Sequence, residues 1–188
     1  MNTETAQATE AALFAALAFA ARKHRSQRRK DKEASPFIDN PIAVADTLVR
    51  VGGVTDPMAL QGALLHDTLE DTATTAAELD EHFGQPVRLL VEEVTDDKSL
   101  PESDRKRLQV ERAGRLSPLA KQIRVADKIC NIAELDHDQP VGWSSERKQR
   151  YLTWAAAVVN ACRGCNAALE ARFDELLGAK RRLLGAAD

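Results

Sequence analysis

Residues 66 to 71 read His66-Asp67-Thr68-Leu69-Glu70-Asp71 and follow the apolar run Ala63-Leu64-Leu65. An imidazole and three carboxylates at the end of a buried segment are costly unless something pairs with them. A divalent cation is one partner, and imidazole with carboxylates suits Mn, Fe, Zn or Ni better than Ca. On a continuous helix His66 and Glu70 would share one face, with Asp67 and Asp71 on the adjoining one. A second segment, Val125-Ala126-Asp127-Lys128-Ile129-Cys130-Asn131, sets Asp127 among apolar residues with Asn131 four positions on. Asp127 could complete a metal site and Asn131 could reach a substrate. A purely structural reading stays open: Asp127 pairs with Arg124 or Lys128, and His66-Asp67 caps a helix.

Arg22, Lys23, Arg25, Arg28, Arg29 and Lys30 put six cations into nine residues, with His24 among them. Such a cluster could grip phosphates, or it is a solvated face favourable at a helix C-terminus. Phe37 could stack on a base or plug the core. Cys162 and Cys165 form a lone CxxC with no second half to complete a zinc site; the simpler reading is two helical residues on one face.

The elements that must hold these groups are helical, because apolar residues recur at three and four positions over long stretches. Helices are expected over about 5–25, 41–52, 57–71, 75–84, 86–94, 104–115, 118–135, 145–163 and 166–184. Pro41, Pro57 and Pro118 suit first turns, and Thr75-x-x-Glu78 reads as a capping box. No strand pattern survives. The expected architecture is an all-α bundle of about eight to ten helices, a single domain over 1–188.

Composition agrees. The 188 residues carry 26 Lys+Arg against 29 Asp+Glu, a net charge of -3, with 44% hydrophobic and 4% aromatic residues. That balance offers no general attraction to nucleic acid or to an anionic membrane. The run Ala11–Ala21 is too short for a span, and no basic residue precedes it as in a secretory signal. Three cysteines (Cys130, Cys162 and Cys165) suggest reduced thiols and a cytoplasmic setting.

Together, "ARKHRSQRRKDKEASPFIDNP", "ALLHDTLEDT", "VEEVTDDKSLP" and "RVADKICNI", in this order, resemble the hydrolase domain of the RelA/SpoT family, nearest its small stand-alone branch of metazoan SpoT type. The resemblance runs from about Ala11 to Trp154. It implies an HD-type helical fold and a Mn-dependent hydrolase (Zn or another divalent transition metal as the variant) that removes the 3′-pyrophosphate of guanosine tetra- or pentaphosphate. NADPH 2′-phosphatase activity is the alternative in the same branch. The chain ends too soon for a synthetase segment, so degradation of the messenger is expected. Carried over, His66, Asp67 and Asp127 match metal ligands, and Glu70 and Asp71 the acidic pair that positions and activates water. Asn131 matches a residue near the ribose, Arg29 and Lys30 match phosphate binders, and Arg147 and Tyr151 match pocket-lining positions.

One position departs. The family carries His-Pro at the end of the basic loop, its His a metal ligand, where this chain has Asn40-Pro41. An amide oxygen binds a transition metal more weakly than imidazole does. Asn40 also fits a helix N-cap ahead of Pro41 at the first helical position. His24, His82 and His137 offer no obvious replacement. Working with weaker metal affinity, much reduced turnover, and nucleotide binding without cleavage are all open.

Overall fold

The structure is a computed structural model that describes residues 3–136 and 140–185. Nine helices are present among the described residues: α1 (Thr3–Lys23), α2 (Asp39–Arg50), α3 (Pro57–Leu65), α4 (Thr68–Asp71), α5 (Ala76–Glu93), α6 (Glu102–Ala113), α7 (Pro118–Ala133), α8 (Ser145–Cys162) and α9 (Ala167–Gly185). No strand occurs there; one isolated bridge pairs Arg28 with Pro36 across the basic loop. The all-α expectation and its helix count therefore hold.

Capping explains several starts. Asp56 accepts from the Met58 and Ala59 amides, Thr75 from Glu78 and Ser117 from Ala120, so first-turn donors without helical partners are satisfied. Gly84, at φ 80°, separates the two helical stretches expected around it, and they run on as one kinked element. Two boundaries depart in ways that matter to function. The segment expected as one helix from Asp56 to Asp71 is broken: α3 ends at Leu65, His66 and Asp67 form the turn, and α4 follows. Thr68 Oγ1 donates to the Leu65 carbonyl at 2.6 Å and satisfies the freed acceptor at that break. Asn40 is not an N-cap either. Asp39 opens α2 after Ile38, so Asn40 is the second helical residue and is buried.

Helix α7 packs against α2, α3, α8 and α9. Val44, Leu48, Ile123, Leu152 and Phe173 belong to the core around it. A second cluster joins α1, α3 and α5 through Phe19, Leu65, Leu79 and Val91. Because α7 is enclosed on several sides, its polar residues are buried with its apolar ones: Arg124, Asp127 and Lys128 are at most 7% exposed. Buried charges persist only when paired, so α7 marks where partners must converge. Cys162 closes α8, whereas Cys165 lies in the turn beyond it, so the two do not share a helical face. Burial pushes the Cys162 thiol up and the Cys165 thiol up to about 11.

Candidate active site

His66 and Asp67 reach the site because the α3–α4 turn sits against α7. His66 Nδ1 donates to the Ala63 carbonyl at 2.7 Å, which fixes the ring and turns Nε2 toward acid groups. Nε2 lies 3.3 Å from Asp67 Oδ2 and 3.7 Å from Asp127 Oδ1. Burial alone would lower the His66 imidazole, but the two carboxylates outweigh it and raise the group to about 10. The same contacts act in reverse. Burial pushes the Asp127 carboxyl upward, yet Lys128 and His66 hold it well below the usual carboxylate range; Asp67 is lowered against burial by His66.

Asp127 is already engaged. Lys128 Nζ lies 2.8 Å from its Oδ2, and Asn131 Nδ2 donates to its Oδ1 at 2.7 Å. The ion pair with Lys128 that the structural reading allowed is thus present beside the proximity to His66. As it stands, no group of three or more His, Cys, Asp or Glu side chains among the described residues is placed to hold a metal ion. The donor chemistry nevertheless fits one. Two donors bound to one tetrahedral ion at about 2.1 Å would be about 3.4 Å apart, close to the two separations from His66. Moreover, His66 Nε2 and Asn40 Oδ1 are buried without a hydrogen-bond partner. Asn40 Nδ2 faces Asn131 Oδ1 at 3.4 Å, which turns the Asn40 oxygen away from that contact.

The carboxylates of α4 separate. Glu70 accepts from the Asp96 amide at 3.0 Å and lies 3.6 Å from Arg105; burial raises its carboxyl above the usual range. Asp71 is bound by Lys98. A cavity of about 880 Å³ opens beside this group. Arg29, Lys30, Phe37, Asn40, Asp67, Glu70, Asp127, Asn131, Arg147 and Tyr151 all line it, while neither His66 nor Asp71 is on its wall. Such a volume is in the range of small-molecule and nucleotide pockets.

The basic loop is less free than its sequence suggests. Arg29 pairs with Glu134, and Lys23 lies 2.6 Å from Glu78. Arg28 donates to the Arg25 and Gln27 carbonyls at 3.0 and 2.8 Å. Phe37 both lines the cavity and packs on the His24 ring at 4.8 Å.

Several contributors were not evident from sequence. His24 is 1% exposed; its Nδ1 meets Gln27 Oε1 at 2.6 Å, and its Nε2 has no partner. Burial lowers its imidazole against the field of Asp67. Gln27 in turn donates to the Asp71 carbonyl, tying the basic loop to α4. An aromatic wall lines the far side. Arg147 stands 4.3 Å over Trp143, Trp143 meets Tyr151 at 5.5 Å, and Tyr151 meets Trp154 at 5.2 Å. Lys128 lies 4.7 Å over Trp154, which closes a chain of contacts back to Asp127. Burial raises the Tyr151 phenol above its ordinary range. Tyr151 and Trp154 stand three apart, a helical-face spacing visible in the sequence; Trp143 lies outside the helix and gave no such signal. His137 lies outside the described residues.

No helix among the described residues is long and apolar enough to cross a membrane. The HD-domain family profile matches residues 16–171. The human protein named guanosine-3′,5′-bis(diphosphate) 3′-pyrophosphohydrolase MESH1 is 53% identical over 176 residues, covering 94% of this chain and 96% of its own. The Drosophila melanogaster protein of the same name is 46% identical over 160 residues, covering 85% and 89%. A solved structure of a metazoan ortholog of SpoT, described as hydrolysing ppGpp and playing a role in starvation responses, superposes with TM-score 0.88 at 44% identity, covering 90% and 96%. HD-domain hydrolases depend on a divalent metal. This chain belongs to the HD-domain family, within the small stand-alone branch of RelA/SpoT hydrolases.

Proposed function

We propose that this chain, acting as one domain over 1–188 in the cytoplasm, hydrolyses the 3′-pyrophosphate of guanosine tetra- or pentaphosphate. Water adds to phosphorus, the bond to the 3′-oxygen breaks, and GDP or GTP leaves with pyrophosphate. One observation carries the reading: His66 and Asp67 of the α3–α4 turn meet Asp127 of α7 beside a nucleotide-sized cavity with Arg29, Lys30 and Arg147 on its wall. The kinship described above supports it.

His66, Asp67 and Asp127 would hold the divalent ion, with Asn40 Oδ1 as the fourth donor. Three oxygens and one nitrogen favour Mn²⁺ over Zn²⁺. When bound, such an ion screens the charge of the phosphorus centre and lowers the pKa of water. Glu70 takes the proton of the attacking water, and its burial keeps it basic enough to do so. Asp71, bound by Lys98 and off the cavity wall, supports Glu70 from the adjoining position of α4. Arg29 and Lys30 neutralise charge on the 3′-pyrophosphate under attack, and the freed 3′-oxygen leaves as the hydroxyl after taking up a proton. Asn131 and Tyr151 orient the ribose, while Phe37 and Arg147 flank the base. No nucleic-acid or membrane partner enters this reading.

Asn40 favours a second reading, a nucleotide sensor that binds without cleaving, because its amide is the weakest donor of the set. NADPH is the alternative substrate, since it too carries a phosphorylated ribose hydroxyl. Incubating the full chain and Mn²⁺ with guanosine tetraphosphate and NADPH in parallel, with chromatographic product analysis, separates these outcomes. GDP with pyrophosphate is expected. Phosphate from NADPH alone would reassign the substrate, and binding of either nucleotide without product would establish the sensor.

A further inference from the structure

A second cavity, about 290 Å³, lies behind the first on the α5–α6–α7 side. It is too small for a nucleotide and large enough for a small ion. Asp96, Arg105, Gln109 and Arg124 line both cavities and so form a partition between them. Three polar atoms of this partition are buried with no hydrogen-bond partner: Arg105 Nε, Arg124 Nε and Gln109 Oε1. Gln109 and Arg124 are each 7% exposed.

Other polar atoms there are engaged. Gln109 Nε2 donates to Asp96 Oδ2 at 2.7 Å, and Arg124 donates to the Val94 carbonyl at 2.7 Å. Arg124 also lies 3.6 Å from Asp96 Oδ1. Two cationic donors and one neutral acceptor are therefore left over in one wall. Unfilled buried groups of this kind are costly, so a ligand that satisfies both kinds is favoured. A tetrahedral oxyanion that keeps one P–OH matches them: its oxygens accept from the two guanidinium groups, and its hydroxyl donates to Gln109. Arg112 and Arg115, exposed and lining only this smaller cavity, add positive charge; Glu92, Glu93 and Asp97 line it too, but Glu92 is held by Arg88, Glu93 accepts from the Ser117 amide and Asp97 accepts from Ser99.

We infer that the cavity bounded by Asp96, Arg105, Gln109 and Arg124 is a binding site for hydrogen phosphate or a terminal phosphate group of the same chemistry. Its occupant acts on turnover through the partition, because the Asp96 amide and Arg105 both contact Glu70. That effect rests on the role proposed for Glu70; the binding itself does not.

The test is calorimetric titration of the full chain with sodium phosphate and, separately, sodium sulfate at neutral pH. Sulfate has the same shape but carries no hydroxyl. Phosphate is expected to bind at least ten-fold more tightly than sulfate. Gln109→Leu should abolish that preference. Arg112→Ala with Arg115→Ala should weaken phosphate at least ten-fold while leaving basal turnover unchanged, and Arg29→Ala with Lys30→Ala should leave this binding intact. No heat with phosphate at tens of millimolar, equal affinity for the two ions, or loss of binding in the Arg29/Lys30 variant would each overturn the site. If phosphate binds as described but does not alter kcat at saturation, the link through Glu70 is wrong while the site stands.

Discussion

The amide nitrogen of Asn40, on α2, lies 3.4 Å from the side-chain oxygen of Asn131, on α7, and the Asn40 oxygen is left buried without a partner. An acceptor left in this way is a cation donor in waiting, weaker than imidazole toward a transition metal. Asn40→His should raise Mn²⁺ affinity at least ten-fold in a calorimetric or electron-paramagnetic titration. An unchanged affinity would place Asn40 outside the ligand set.

In the proposed reading, Glu134 competes with substrate for Arg29. The pair joins a half-exposed carboxylate to a more buried guanidinium, so a phosphate must displace Glu134 to reach Arg29. Glu134→Gln should lower the KM for guanosine tetraphosphate several-fold with little change in kcat, and Arg29→Ala should raise it. If both variants raise KM alike, the pair serves the fold and not the ligand.

The acid limb of the rate should lie above the ordinary glutamate range. Burial raises the Glu70 carboxyl, so as pH falls it takes up its proton earlier than an exposed glutamate would, and the base is lost. Lys98 pulls the other way. Lys98→Met should therefore move the acid limb to higher pH, and Glu70→Gln should reduce kcat by about 10²-fold or more. A limb unmoved by the Lys98 change would mean that another group governs it.

Most of this site was legible as sequence, for identifiable reasons. His66-Asp67 and Asp127 stood out because charged residues interrupt apolar runs, and such interruptions demand partners. The helices were legible because their apolar period is strong and Pro41, Pro57 and Pro118 punctuate it. The break after Leu65 was not, since His66 and Asp67 keep right-handed backbone angles and only the hydrogen-bond ladder changes. Long-range pairing was equally hidden. Nothing near Arg29 announces Glu134, and nothing near Asp71 announces Lys98 or Gln27. The burial of His24 depends on Phe37 folding over it, which local spacing does not encode.

The approach of α3 to its neighbours depends on Gly62. A Cβ there would stand 2.7 Å from Leu90 Cδ2 and 3.0 Å from Ile123 Cδ1, both in the packed core. Gly62→Ala should destabilise the chain by about 1–3 kcal/mol through overpacking, read as a lowered denaturant midpoint. Because α3 delivers His66, metal affinity should fall with it. A neutral or stabilising effect would show that Leu90 and Ile123 have room to move.

The proposed chemistry depends on one ion shared by three side chains. Crystals grown with Mn²⁺, measured at the manganese absorption edge, locate it directly. A single anomalous peak bonded to His66 Nε2, Asp67 and Asp127, with Asn40 Oδ1 facing it, is the predicted result. A peak elsewhere, or none at millimolar Mn²⁺ with the Lys128–Asp127 ion pair intact, would contradict it.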